Sequence, residues 1–421
     1  MLCACRPGVF DELVGGGQLD SGVRASDAGG AGLDAGTSPD PGAGHAGTGG
    51  PDITDGGADG SLDAGGEAGA PVADAATDPP GDGGALGDGS AIDCPHVGDL
   101  DAVHASAVEL GAMTIPSVIR PVIHASARIG ERSLWIATAP EQVAIWADGD
   151  ESLPMLSGLV PAVPLLPAAA VPANWTASVG SVVALNEHDA LIFFGSYNIF
   201  IAGETGLARI GVDEAASELI HPAGQLFASW SEQAWKPVFS VGAVVHDGGE
   251  GSHVYVYACH PDPAEPSEQS GAEREGPCRL ARVAPELAED GAAYRFWSGD
   301  AWVSDVASAA VVIDHVPSTL SVAYSDYLQK FLAVHTVALG NRIALRWADR
   351  PEGSWHPLGE VDTLPGSGPY ASTFGAREHP ELRGPCHDVL HVTYQLGTDA
   401  TDPAGMPTTH FETRLMRVEL D

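Results

Sequence analysis

The sequence has 421 residues, 44% of them hydrophobic, and its 57 acidic against 19 basic side chains give a formal net charge of −38. This length allows one to three domains, and the hydrophobic content is enough for a sizeable core. Binding to nucleic acid is excluded as a main role, because phosphate groups attract Lys and Arg and such an acidic chain repels them. The sequence has no apolar run of about 18 residues, so no transmembrane helix is predicted.

Residues 1–14 are interpreted as the truncated end of a lipoprotein-type leader. Leu2 and Ala4 stand before Cys5 as a Leu and a small residue stand before the modified Cys of bacterial lipoproteins. The basic start and the apolar stretch of a whole leader do not precede them. Cys5 is therefore the predicted lipidation site, and membrane contact is expected only through this lipid anchor. The alternative is a chance match at a cytosolic N-terminus.

Residues 15–93 are predicted to be a disordered acidic linker. The segment consists mostly of Gly, Ala, Asp, Pro and Ser, and Asp-Ala-Gly recurs at Asp27, Asp34 and Asp63. Such a composition buries too little apolar surface to offset the conformational entropy of the chain. Like charges extend it further. We therefore interpret it as a tether that carries a folded domain.

Residues 94–421 are predicted to form one all-β domain. Apolar and polar residues alternate there in short runs that Gly, Pro and Asp interrupt, as is typical of strands. No long amphipathic helical period appears. Five runs illustrate the pattern: 133–138, 190–195, 253–258, 330–337 and 389–394.

One strand recurs five times within this domain, which indicates a five-bladed β-propeller. When the copies are aligned, successive equivalent positions are 64, 73, 64 and 71 residues apart. Each unit has room for a four-stranded sheet, and a propeller is a ring of such sheets. One chain end is expected to supply a strand to the blade formed by the other. The alternative is a large β-sandwich. The aligned positions are Trp146, Ile210, Val283, Trp347 and Val418.

The inner strands that would line the central channel are predicted less directly. We expect them at residues 114–121 in blade 1, from residue 174 in blade 2 and at residues 235–242 in blade 3. None of these segments contains a carboxylate.

The cysteines of the domain suggest two disulfides, as expected for an exported chain. Cys259 ends one predicted strand and Cys278 begins the next, so they are predicted to staple a hairpin. Cys94 and Cys386 remain, and a disulfide between them would link the start of the domain to its last blade, where the ring closes. The alternative is four free thiols in a cytosolic protein.

Several sequence segments resemble a secreted bacterial family of unknown function. In the third blade these segments are 254–257, 278–283 and 294–303. In the fourth blade they are 320–325, 331–335 and 342–355, and in the last blade they are 378–382 and 390–394. The similarity is good over residues 230–420 and weak over 95–230. The family is related in fold to the five-bladed furanosidases of the arabinanase and invertase type. The resemblance therefore implies the propeller fold more strongly than any activity.

Hydrolysis of a glycosidic bond needs two carboxyl groups some 5–10 Å apart. The best candidates are Glu378, His379 and Glu381 at the entrance of blade 5, with a glutamate as acid and His379 as its partner. A structural alternative is that His379 and Pro380 only shape a turn while Glu378 pairs with Arg377. Five further residues are candidates for substrate binding: Arg120, Trp175, Lys236, Ser318 and Arg377.

The function expected from the sequence is recognition of carbohydrate by a cell-surface or secreted lipoprotein, with glycoside-hydrolase-like activity left open. The alternative is a non-catalytic surface interaction module with a degenerate active site. A monomer in the extracytoplasmic space is expected, either secreted or anchored at the outer membrane. No cofactor and no protein metal site are predicted, although calcium in the channel is left open.

Overall fold

The computed structural model describes residues 96–115, 121–138, 141–148, 156, 161, 163–198, 201–227, 238–248, 251–259, 275–317, 319–337, 340–365, 373–383, 386–401 and 407–421. The leader, the predicted lipidation site Cys5 and the linker lie outside the described residues. The domain boundary at residue 94 therefore stays a prediction.

The described chain is built of strands and short 3-10 turns. The strands are β1 (Ala105–Ala112), β2 (Val122–Ile129), β3 (Arg132–Thr138), β4 (Gln142–Asp148), β5 (Thr176–Ala184), β6 (Asp189–Asn198), β7 (Ile201–Gly211), β8 (Glu218–His221), β9 (Gly242–Gly248), β10 (Gly251–Cys259), β11 (Gly276–Val283), β12 (Arg295–Trp297), β13 (Trp302–Val303), β14 (Val311–Val316), β15 (Ser321–Ser325), β16 (Lys330–Thr336), β17 (Arg342–Ala348), β18 (His356–Asp362), β19 (Thr373–Glu378), β20 (Val389–Thr401) and β21 (Pro407–Leu420). The 3-10 turns are Leu100–Ala102, Ala168–Ala170, Pro285–Leu287, Gly291–Ala293, Val306–Ser308 and Pro380–Leu382.

These strands form five antiparallel sheets, the blades of the predicted propeller. Blade 1 is β2-β3-β4, blade 2 is β5-β6-β7-β8, and blade 4 is β15-β16-β17-β18. Blade 3 is β9-β10-β11-β12-β13, with β14 also paired to β11. Blade 5 is β19-β20-β21 with β1 added at its outer edge. The repeated strand of the sequence is the third strand of every blade.

Packing between the blades shows that the ring is closed. Each middle strand is covered on both faces by neighbouring blades, which is why β6 is buried over nearly all of its length. Among the described residues there are five hydrophobic clusters, one at each junction between neighbouring blades. An open row of five sheets would have only four junctions. The fifth cluster joins blade 5 to blade 1, where Leu415 packs near Trp135.

The N-terminal strand closes the ring by pairing with the C-terminal one. Strand β1 runs antiparallel to β21, with Ala105 opposite Leu420 and Ala112 opposite Arg414. The prediction that one chain end completes the blade of the other is therefore confirmed. No helix in the described part of the chain has the length and apolar character needed to cross a membrane.

Two of the three inner-strand predictions are wrong. The inner strand of blade 1 is β2 and that of blade 3 is β9, each about one strand length beyond the predicted segments at 114–121 and 235–242. Inner strands are rich in Ser, Ala and Gly because they border a cavity, so their alternation is weaker than that of the strands behind them. Blade 2 begins with β5 at Thr176, close to the predicted position.

The predicted hairpin disulfide is confirmed. Cys259 and Cys278 are opposite each other on β10 and β11, and their sulfurs are bonded. Cys386 is also disulfide-bonded. Its predicted partner Cys94 lies outside the described residues, so that pairing stays a prediction.

Removing the hairpin disulfide is expected to destabilise the domain appreciably. The bond closes a loop with a sequence separation of 19 residues, and loop-closure entropy for this size corresponds to about 3 kcal/mol. A C259A/C278A variant should lose about that much free energy of unfolding in urea titrations. Under reducing conditions the wild type should approach the variant, and equal stability of both proteins under oxidising conditions would contradict the expectation.

Candidate functional site

All five inner strands surround one cavity of about 420 Å³, which is large enough for a sugar-sized ligand. Small side chains make this space: the lining is mostly Ala, Ser, Val and Gly on β2, β5, β9 and β15. Blade 5 contributes most of the charged lining, residues 377–381, and β2 adds Arg128. The ionisable groups of the cavity are therefore concentrated in one segment of blade 5.

The local fold of blade 5 directs this charged segment into the cavity. Strand β19 carries an irregularity between Phe374 and Arg377, and it ends at Glu378. Pro380 then begins a 3-10 turn, for which the fixed φ of proline is favourable. The backbone amide of His379 donates to the carbonyl of His391 on β20, which holds the start of the turn against the blade.

Glu378 forms a bidentate ion pair with Arg383, which follows it in the chain. Arg383 donates from Nε to Oε1 at 2.5 Å and from Nη2 to Oε2 at 2.9 Å, and both side chains are almost fully buried. Arg383 also donates to the carbonyl of Tyr324 on β15, while the Glu378 amide donates to Ser321 Oγ. These contacts tie blade 5 to blade 4, so Glu378 is a structural anchor in this geometry.

His379 lies completely buried beside the cavity wall, with both ring nitrogens engaged. Nδ1 is 2.5 Å from Ser126 Oγ on β2, and Nε2 is 2.7 Å from Thr393 Oγ1 on β20. The ring stacks on Trp135 with a centroid distance of 4.7 Å. Its orientation is therefore fixed by blades 1 and 5 together.

Two buried oxygens on the cavity lining have no hydrogen-bond partner among the described residues. One is Oε1 of Glu381, whose side chain is 2% exposed and which lies 3.5 Å from His379 Nδ1. The other is Oγ of Ser181 on β5. Buried polar atoms are normally hydrogen-bonded, so unpaired ones in a cavity mark groups that a ligand can satisfy.

Arg377 brings a positive charge to the same space. Its side chain is buried and donates from Nη1 to the carbonyls of Val241, at 3.3 Å, and Leu320, at 3.5 Å. Burial lowers the pKa of the guanidinium to about 10, with Tyr197 opposing the shift. On β2, burial and the charge of Arg377 lower the pKa of His124 to about 3, so this imidazole is neutral near pH 7.

The structure brings together the blade 5 candidates of the sequence analysis, Arg377, Glu378, His379 and Glu381, on one cavity. Trp175 is not among the lining residues, and its ring packs over Gly203 within its own blade. Three substrate-binding candidates lie outside the described residues: Arg120, Lys236 and Ser318.

Sequence reasoning missed Ser126, Ser181 and Arg383. A single serine in an apolar strand carries no signal of its own. Arg383, by contrast, stands directly after the 3-10 turn that follows Glu378, and a buried glutamate in so acidic a chain calls for a basic partner. In the described residues no three His, Cys, Asp or Glu side chains are grouped as metal ligands would be. The expectations about cofactors and calcium stay predictions.

Comparison with known proteins agrees with the resemblance noted in the sequence. A family model described as a domain of unknown function (DUF4185) matches residues 213–394, which include most of the region where the resemblance is good. Among curated proteins no sequence matches this chain.

Several solved structures are similar to this chain at low identity. The GH43_1 enzyme from Xanthomonas citri complexed with xylose is 11% identical, with a TM-score of 0.43, 72% of this chain covered and 94% of that chain. A family 117 glycoside hydrolase of the marine bacterium Zobellia galactanivorans is 8% identical, with a TM-score of 0.46 and coverages of 76% and 90%. An exo-beta-1,3-galactanase from Clostridium thermocellum is 9% identical, with a TM-score of 0.43 and coverages of 73% and 61%.

Proposed function

We propose that this protein recognises carbohydrate in the cavity at the centre of its propeller. The observation that carries the proposal is the pair of unsatisfied buried oxygens, Glu381 Oε1 and Ser181 Oγ, on the lining of a sugar-sized cavity. Saccharide hydroxyls both donate and accept hydrogen bonds. They can therefore pair with a carboxylate and a serine hydroxyl at the same time.

Binding is favoured over hydrolysis by the placement of the carboxylates. Both lining carboxylates, Glu378 and Glu381, come from one short segment of blade 5, and Arg383 engages Glu378 with two hydrogen bonds. Hydrolysis needs an acid and a base or nucleophile on either side of the scissile bond. Within the described lining, no other blade offers a carboxylate to face Glu381.

His379 has a positioning role in this proposal. It lies between Ser126 and Thr393, stacks on Trp135, and its Nδ1 is 3.5 Å from Glu381 Oε1. It would therefore hold the carboxylate in place for the ligand. Glu378 would act in the same way through the backbone, since its ion pair fixes the turn that carries Glu381.

In this proposal the propeller lies outside the cytoplasm, at the end of a lipid-anchored tether that begins at Cys5. The disulfide between Cys259 and Cys278 supports this location, because such bonds persist in oxidising compartments. The acidic linker of residues 15–93 would give the propeller reach from the membrane surface.

A glycan array probed with the full chain tests the proposal. We expect retained saccharides whose affinity falls about 10- to 100-fold in E381Q, since Gln keeps the shape but loses a charge-assisted hydrogen bond. E286Q is a matched control: Glu286 lies in the same Pro-Glu-Leu 3-10 turn sequence, but it is exposed on blade 3. No retained glycan, or retention equal in E381Q and wild type, would contradict the proposal.

A further inference from the structure

Arg377 is a buried cation that no carboxylate of the described residues neutralises. Within this part of the chain its guanidinium donates to the carbonyls of Val241 and Leu320, and both hydrogen bonds are long. No carboxylate of the described residues forms an ion pair with it. Of the two lining carboxylates, Glu378 is paired with Arg383, and Glu381 lies next to His379.

An isolated buried charge is unfavourable, because the protein interior solvates it less well than water does. This chain has many more acidic than basic residues, so an internal carboxylate could easily have neutralised Arg377. On β2 the charge of Arg377 acts instead on His124 and helps to lower the pKa of that imidazole. Strongly perturbed charges of this kind in a cavity are typical of ligand-binding positions.

The edge of the guanidinium that remains free has the shape that a carboxylate fits. Nη1 makes both carbonyl hydrogen bonds, and neither Nε nor Nη2 donates to any other described residue. Arg383 uses that same edge to hold Glu378, Nε to one oxygen and Nη2 to the other. Two parallel N–H donors match the two oxygens of a carboxylate.

We propose that Arg377 binds the carboxylate of an acidic saccharide, so that the ligand class of this cavity is uronic acids. This inference rests on the proposed function and narrows it. Ser181 and Glu381 would pair with ring hydroxyls, while Arg377 would select the charged substituent. A neutral sugar could fill the cavity but would leave the guanidinium unpaired.

Titration of the full chain with matched sugars, at physiological ionic strength and pH 7, tests the inference. The pairs are galacturonate with galactose and glucuronate with glucose, which differ only in the carboxylate. In at least one pair we expect the uronate to bind about 10- to 100-fold more tightly. In R377M this preference should disappear, while R295M should retain it. Arg295 is a suitable control, because it is exposed and its guanidinium donates only to carbonyls.

The outcomes separate this inference from the proposed function. Neutral sugars that bind as well as uronates, or a preference that survives in R377M, would overturn the uronic acid assignment and leave carbohydrate recognition standing. If no sugar of either kind binds, this test contradicts the proposed function. Binding of a carboxylate by Arg377 is then judged from the acetate measurement that follows.

The acetate measurement uses the wild type without any sugar, so it does not depend on folding of R377M alone. We expect millimolar acetate to raise the thermal midpoint relative to chloride at equal ionic strength, and R377K to weaken the shift. No shift in the wild type would overturn the carboxylate site. A shift with sulfate but not with acetate would overturn it too, since it would indicate a tetrahedral oxyanion.

Discussion

The R383M variant is expected to lose about 3–5 kcal/mol of unfolding free energy, because the change leaves the Glu378 carboxylate buried without its partner. Both side chains of this pair are almost fully buried and share two hydrogen bonds. The loss would loosen the turn that carries Glu381, so saccharide binding should weaken together with stability. Urea titration of the wild type and the variant measures the effect.

A second variant shows whether R383M loses stability through the unpaired Glu378 carboxylate or through the loss of side-chain packing. E378Q/R383M removes both charges and should recover a large part of the lost stability, as replacing both members of a buried ion pair usually does. R342M is the matched control, since Arg342 pairs with Glu360 at the surface of blade 4. Its effect should stay within about 1 kcal/mol. If R383M proves as mild as R342M, the anchor assigned to Glu378 and Arg383 is refuted.

The second large effect is a loss of stability in mild acid, caused by two buried histidines. Burial lowers the pKa of His124 to about 3 and that of His335 to about 4. Arg377 adds to the shift at His124 and Arg346 adds to the shift at His335. Both imidazoles are therefore neutral in the folded chain over a pH range in which they are protonated in the unfolded chain.

The number of protons bound by the folded and unfolded chains determines how stability changes with pH. Above the unfolded pKa of about 6.5 both states are neutral, so neither histidine affects stability. As the pH falls from 6.5 towards the folded values, the unfolded chain binds protons that the folded chain does not, and stability drops. At pH 5 each site corresponds to about 2 kcal/mol, or about 4 kcal/mol together.

Chemical denaturation at several values between pH 7 and pH 5 measures this loss. H124Q and H335Q should each flatten the profile by about half, although both variants start from a lower stability because they disturb buried contacts. A wild-type profile that is level from pH 7 to pH 5 would show that the two histidines titrate alike in both states.

The strands that the sequence predicted well are those in the middle of the blades. The third strands, such as β11 and β17, are covered on both faces, so their apolar residues recur strongly enough to reveal five units. Inner strands border the cavity on one side and consist of small residues. This weak pattern explains why the sequence predicts inner strands at 114–121 and 235–242 and not at β2 and β9.

The candidate site was predictable only where several ionisable residues stand together. Glu378, His379 and Glu381 form an ionisable group around Pro380, and the fold places this group on the cavity. Ser126 and Ser181 meet them from β2 and β5, more than a hundred residues away in the sequence. Only the closure of the ring makes these residues neighbours, so no local pattern could have indicated them.

A crystal structure of the full chain with a saccharide selected from the array would show whether the central cavity is the binding site. We expect ligand density in this cavity, within hydrogen-bond distance of Glu381 Oε1 and Ser181 Oγ. Density at the partly exposed ring pair of Trp297 and Trp302 on blade 3, with the cavity empty of ligand, would contradict it.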